Sequence, residues 1–125
     1  MKPGLSPVEF EREAFSRAWR ECSRIALVDV LTTEQRLTPA SPGSSTSESW
    51  QLVTGVCNSA LRRSCGALRA SELLWFPGAS APKGTVLVCV VDRDRPYVTL
   101  YHQMDALGRI PALDLGLAEA EALLP

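Results

Sequence analysis

Histidine is almost missing from this sequence, with His102 the single example in 125 residues. Its four cysteines, Cys22, Cys57, Cys65 and Cys89, form no C-x-x-C pair. Zinc sites need several such ligands at short spacing, so no metal or other cofactor is expected, and paired-histidine acid–base chemistry is excluded. Charge of one sign is lacking too: 13 basic and 14 acidic residues leave a net charge of −1. Without a global field to steer it, the chain is expected to bind neither nucleic acid nor an anionic membrane. Long apolar runs are absent as well. The longest, Val86 to Val91, falls far short of the roughly 20 residues that span a bilayer. The first fifteen residues contain Lys2, Pro3, Glu9, Glu11 and Glu13 and no apolar h-region, which predicts no export signal. The cysteines sit within apolar patterns, as reduced cysteines do when they serve as small core residues. Together these points predict a cytoplasmic chain.

What remains is the composition of an ordinary globular protein, 46% apolar and 22% charged, at the usual size of one domain. A single domain over residues 1–125 is expected, interrupted by a mobile Pro/Ser-rich loop at 38–47. Ser6, Pro7 and Glu9 make an S-P-V-E capping box that starts a helix at Pro7, with Val8, Phe15, Ala18, Trp19 and Cys22 on its apolar side. Ile25 to Leu31 is apolar apart from Asp29 and rich in β-branched residues, so it reads as a buried strand, with one continuous helix to Thr32 as the alternative. Ser45 and Glu48 form a second capping box ahead of Trp50, Val53, Val56, Cys57, Ala60, Leu61 and Cys65, a spacing that predicts an amphipathic helix ending at Gly66.

Beyond that helix, Glu72 to Phe76 reads as a strand stopped by Pro77 and Gly78. Thr85 to Val91 is the strongest strand, and Asp92 to Arg95 turn it into a returning strand over Tyr97 to Tyr101. Leu117 to Leu124 is expected to be a short helix. The predicted fold is α+β, a single mostly antiparallel sheet of about five strands flanked by amphipathic helices in the order α-β-β-α-β-β-β-α.

Candidate sites are sparse. Gly78, Lys83 and Gly84 superficially suggest a phosphate loop, but the lysine precedes the final glycine, so there is no Gly-Lys pair followed by Ser or Thr. Asp92 to Arg95 reads as a solvated turn rather than a reactive cluster. Trp19, Trp50 and Trp75 suit a core, and Trp50, at the start of its helix beside the loop, is the first to test for surface exposure. No nucleophile, base and orienting group connect in the sequence, so no catalytic residue is assigned. The residues put forward for interaction are Trp50, Tyr97, Tyr101 and His102.

The order of elements resembles the roadblock family, through Ile25 to Leu31, the helix Trp50 to Cys65 and the hairpin Thr85 to His102. That resemblance implies a longin-like antiparallel sheet, pairing of subunits, and service as a scaffold or regulator of a small GTPase. Size and the terminal Leu/Ala/Glu segment also resemble the small dimeric chaperones of type III secretion. Both imply a non-catalytic protein–protein interaction module that binds another protein or a second copy of itself. A small enzyme with a Cys/His site is the remaining alternative.

Overall fold

The computed structural model describes residues 4, 6–61 and 72–123. Helix α1, Pro7–Glu21, starts where the capping box places it: Ser6 is extended and its Oγ accepts a hydrogen bond from the Glu9 amide at 3.2 Å. Five strands follow: β1 Arg24–Pro39, β2 Ser47–Asn58, β3 Glu72–Pro77, β4 Thr85–Asp92 and β5 Pro96–Gln103. They close into a barrel in the order β1-β2-β3-β5-β4, with β4 returning to β1. Every neighbouring pair is antiparallel except β3 and β5, which meet in parallel at the single register pair Trp75↔Tyr97. The fold is thus α+β with a mixed five-stranded sheet, mostly antiparallel and closed into a barrel.

Two apolar clusters follow from the alternation of side chains along the strands. Ala26, Val28, Val53, Leu74, Phe76, Val86, Val88, Val90 and Val98 fill the barrel. Ile25, Leu27, Leu87 and Cys89, the alternate residues of β1 and β4, face outward and are covered by Phe15, Ala18 and Trp19 of α1 and by its C-cap, Cys22. The chain's end completes this cover. A two-stranded ribbon, β6 Arg109–Ile110 and β7 Leu115–Gly116, flanks a 3-10 turn at Pro111–Leu113 and leads into α2, Leu117–Ala122. Ile110, Leu113 and Ala120 join the outer cluster, and the Arg12 guanidinium donates to the Leu113 carbonyl at 2.8 Å, tying α1 to it.

The largest correction concerns Trp50 to Cys65, expected as a helix and one of the three positions behind the roadblock resemblance. Its described part is strand β2, with Ser47↔Pro39 through Leu52↔Glu34 in register with β1. Trp50, Val53, Val56 and Cys57 fit a helical stripe by spacing, yet pairing with β1 and β3 sets a strand's period of two, with Val53 inside the barrel and Gly55 against Val28. Gly55 is required there, because a Cβ would lie 2.1 Å from the Cγ1 of Val28. The expected helix end around Arg62, Arg63, Cys65 and Gly66 lies outside the described residues. The second strand of the expected order is absent as a separate element, because β1 runs on to Pro39, and the loop expected at 38–47 shortens to residues 40–46.

Two polar knots pin the barrel wall. Asp29 accepts from Thr85 Oγ1 at 2.6 Å and from Asn58 Nδ2 at 3.2 Å, which explains a carboxylate inside an apolar strand. The Arg24 guanidinium holds Asp92 through Nε at 2.8 Å and Nη2 at 2.7 Å, and Glu72 through Nη1 at 2.8 Å. One side chain thereby links the starts of β1 and β3 to the end of β4.

Candidate functional site

Away from α1, which covers β5 only around Leu100 and His102, the cross-strand register on the outer face of β2, β3 and the start of β5 assembles large aromatics. Arg36 stands opposite Trp50, Leu52 opposite Trp75, and Trp75 opposite Tyr97. Ring centroids are 5.3 Å apart for Trp50 and Tyr97, 5.9 Å for Trp50 and Trp75, and 6.3 Å for Trp75 and Tyr97. These are the tilted and edge-on geometries that aromatic quadrupoles favour. The Trp50 Nε1 donates to Thr38 Oγ1 at 3.1 Å, and the Tyr97 hydroxyl donates to Asp94 Oδ2 at 3.3 Å, so both polar tips are anchored.

Arginines converge on the same face. The Cζ of Arg95, from the β4–β5 turn, lies 4.1 Å from the Trp75 ring centroid, and that of Arg36 lies 5.9 Å away. Trp75 is left only 6% exposed, while Trp50 and Tyr97 are half-buried. Beside them runs a cleft of about 380 Å³ bounded by Trp50, Pro77, Tyr97, Val91, Thr99 and Arg93. Carboxylates nearby are largely engaged: Asp92 holds Arg24, Asp94 accepts from Tyr97, and Glu34 lies 3.8 Å from Arg36. Arg93 and Arg95 have no ion pair among the described residues. The site therefore offers apolar ring surface beside guanidinium groups, which suits an anionic ligand that also carries a planar or apolar group. A cationic ligand is disfavoured, because Arg95 already occupies the ring face that would attract it.

Of the four residues put forward for interaction, Trp50 and Tyr97 meet in this cluster, whereas Tyr101 and His102 do not. Tyr101 packs against Phe76, centroids 4.9 Å apart, beside the barrel interior. His102 lies beneath α1 against Phe15, 5.8 Å between centroids, and is 5% exposed. Its Nε2 has no hydrogen-bond partner among the described residues. Burial lowers its pKa from the ordinary 6.5, partly opposed by the charge of Glu11.

Cys89 is buried, and burial, together with the charge and hydrogen bond of Cys22, pushes its thiol well above the usual range. Cys57, expected in a core, is exposed on β2. Among the described residues no group of three or more His, Cys, Asp or Glu side chains is placed to hold a metal, and no helix is long and apolar enough to cross a membrane. Sequence reasoning missed Arg36, Arg93, Arg95 and Trp75 as parts of one surface. The signal was the pairing of Arg36 with Trp50, which appears only once residues 47–58 are read as a strand. No protein-family model, no curated protein and no solved structure matches the chain.

Proposed function

We propose that this chain is a non-catalytic protein-binding module whose partner docks on the Trp50–Trp75–Tyr97 face. The observation that carries the reading is the cleft beside Trp50 and Tyr97, lined by Arg93, with the Arg95 guanidinium stacked on neighbouring Trp75. Trp, Tyr and Arg are the residues in which binding energy concentrates at protein interfaces. The partner is an acidic segment of another protein bearing an aromatic or proline residue: its ring fills the cleft and its carboxylates meet the arginines.

A second reading is supported by the architecture. Five-stranded barrels of the OB type use the face of their second and third strands, and the loop between the fourth and fifth, to hold oligonucleotides. Trp50, Trp75 and Arg95 lie on those parts of this barrel. Single strands bind such surfaces by stacking on exposed rings and by phosphate neutralisation. The small exposure of Trp75 and the carboxylates Glu34 and Asp94 beside the arginines favour a peptide with few charges over a phosphate at every residue.

An array of defined peptides, acidic and neutral, with and without Tyr, Phe or Pro, tests the first reading. Wild type is expected to retain the acidic aromatic or proline-bearing peptides, and Arg93→Glu/Arg95→Glu to lose about tenfold or more in affinity. Equal retention by wild type and variant would overturn it. Titration with an oligothymidylate tests the second: salt-sensitive binding, with a salt slope reduced by about 1 for each arginine removed, would replace the peptide by a nucleic-acid strand.

A further inference from the structure

We infer that two copies of this chain pair antiparallel along residues 32–38 of β1, around a twofold axis at Gln35. The barrel closes only over the first half of β1. Its pairing with β4 runs from Arg24↔Val90 to Asp29↔Thr85, and the Val30 amide donates to Gly84 at 2.8 Å. Beyond this point β1 continues beside β2 alone, through Thr38↔Glu48 and Pro39↔Ser47, and residues 31–37 are all exposed. Among the described residues no strand covers this second edge, which presents a row of unpaired amides and carbonyls to a further strand. Leu31 and Leu37, 57% and 62% exposed, stand at its two ends.

Charge selects both the occupant and the register. Backbone N–H and C=O groups alternate in direction along a strand, so a twofold antiparallel pairing centres on a residue and not between two. A centre at Glu34 sets that carboxylate against its own copy, and a centre at Arg36 does the same with guanidiniums, both destabilising. A centre at Thr33 brings Arg36 opposite Val30, whose amide is already taken by Gly84. With Gln35 at the axis, Glu34 of each copy faces Arg36 of the other, twice, Thr32 faces Thr38, and Thr33 faces Leu37. Opposite residues share a face, so both ion pairs form on the outer side of the joined sheet. Pro39 has no amide hydrogen and ends the ladder after seven residues. Edges in many proteins are guarded by charge of one sign, which repels a copy. Here the only two charges on the edge are complementary under the twofold.

Sedimentation analysis from micromolar to millimolar concentration tests this pairing. Wild type is expected to form dimers. Glu34→Arg and Arg36→Glu, each placing like charges opposite one another, are expected to weaken the dimer by about tenfold or more, and the double reversal to restore it. A monomeric wild type, single reversals that dimerise as well as wild type, or a double reversal that stays monomeric would each overturn the inference. Amide hydrogen exchange of the unaltered chain needs no variant: residues 32–38 are expected to be protected at high concentration and to lose that protection on dilution. Protection independent of concentration would overturn it as well.

Discussion

Replacing Gly55 with alanine is expected to destabilise the barrel by about 2–3 kcal/mol, because the strands already touch there. The new Cβ would lie 2.1 Å from Val28 Cγ1 and 3.4 Å from the Asp29 carbonyl oxygen. Carbon atoms pack at about 3.5–4.0 Å, so one of the two must retreat by about 1.5 Å. Val28 has no room to do so: it is fully buried and held by register to Cys57 on one side and Val86 on the other. Val28→Ala alone removes two buried methyl groups and is expected to cost about 2–3 kcal/mol through lost burial and the cavity left behind. In that background the methyl group added at position 55 enters the space Cγ1 vacated, so Gly55→Ala should then cost close to nothing. The expected coupling is about 2 kcal/mol, read from the urea midpoints of the four proteins by tryptophan fluorescence. A double variant whose loss equals the sum of the single losses within about 0.5 kcal/mol would refute the contact as the reason for glycine.

Arg24→Met is expected to lower stability by about 2 kcal/mol, since it leaves Glu72, with a side chain only 17% exposed, without its cation; the Glu72→Gln change should recover part of the loss in the same urea measurement. For His102 the sign follows from a folded-state pKa below the ordinary 6.5. The unfolded chain takes up a proton first, so stability is complete above that value and falls as the pH drops below it. His102→Phe, which keeps the ring against Phe15 and removes the orphaned nitrogen, is expected to flatten the melting temperature between about pH 6.5 and 5; an unchanged profile would show that His102 is not the group responsible.

The elements legible in the sequence were those with local signals. Ser6, Pro7 and Glu9 start α1 through hydrogen bonds within four residues of one another, and the β-branched run at 85–91 with its charged turn makes a hairpin whose partners are neighbours in sequence. β2 was not legible, because Trp50, Val53, Val56 and Cys57 satisfy a helical period while the burial that decides between helix and strand comes from β1 and β3. Gly55 amid Val53, Thr54 and Val56 is the local mark of a strand in close contact, and it lost to the capping pattern of Ser45 and Glu48. The site shares that fate: the sequence offers Trp50 and Tyr97 as interaction residues, but Trp75 and the arginines join them only through cross-strand register. Barrel closure, set by the return of β4 to β1, leaves no trace in hydrophobic periodicity.

The parallel junction of β3 and β5, at the single register pair Trp75↔Tyr97, makes that seam the narrowest line of backbone pairing in the barrel. The aromatic cluster sits over it, with Trp50 and Trp75 on one lip and Tyr97 on the other. A molecule held in the cleft against both Trp50 and Tyr97 therefore fastens the seam from outside, and by linkage a barrel held closed binds that molecule more tightly. Ligand affinity and the opening of the barrel are in this way two readings of one equilibrium, and a substitution far from the cleft that loosens β3 from β5 acts on binding without touching the ligand.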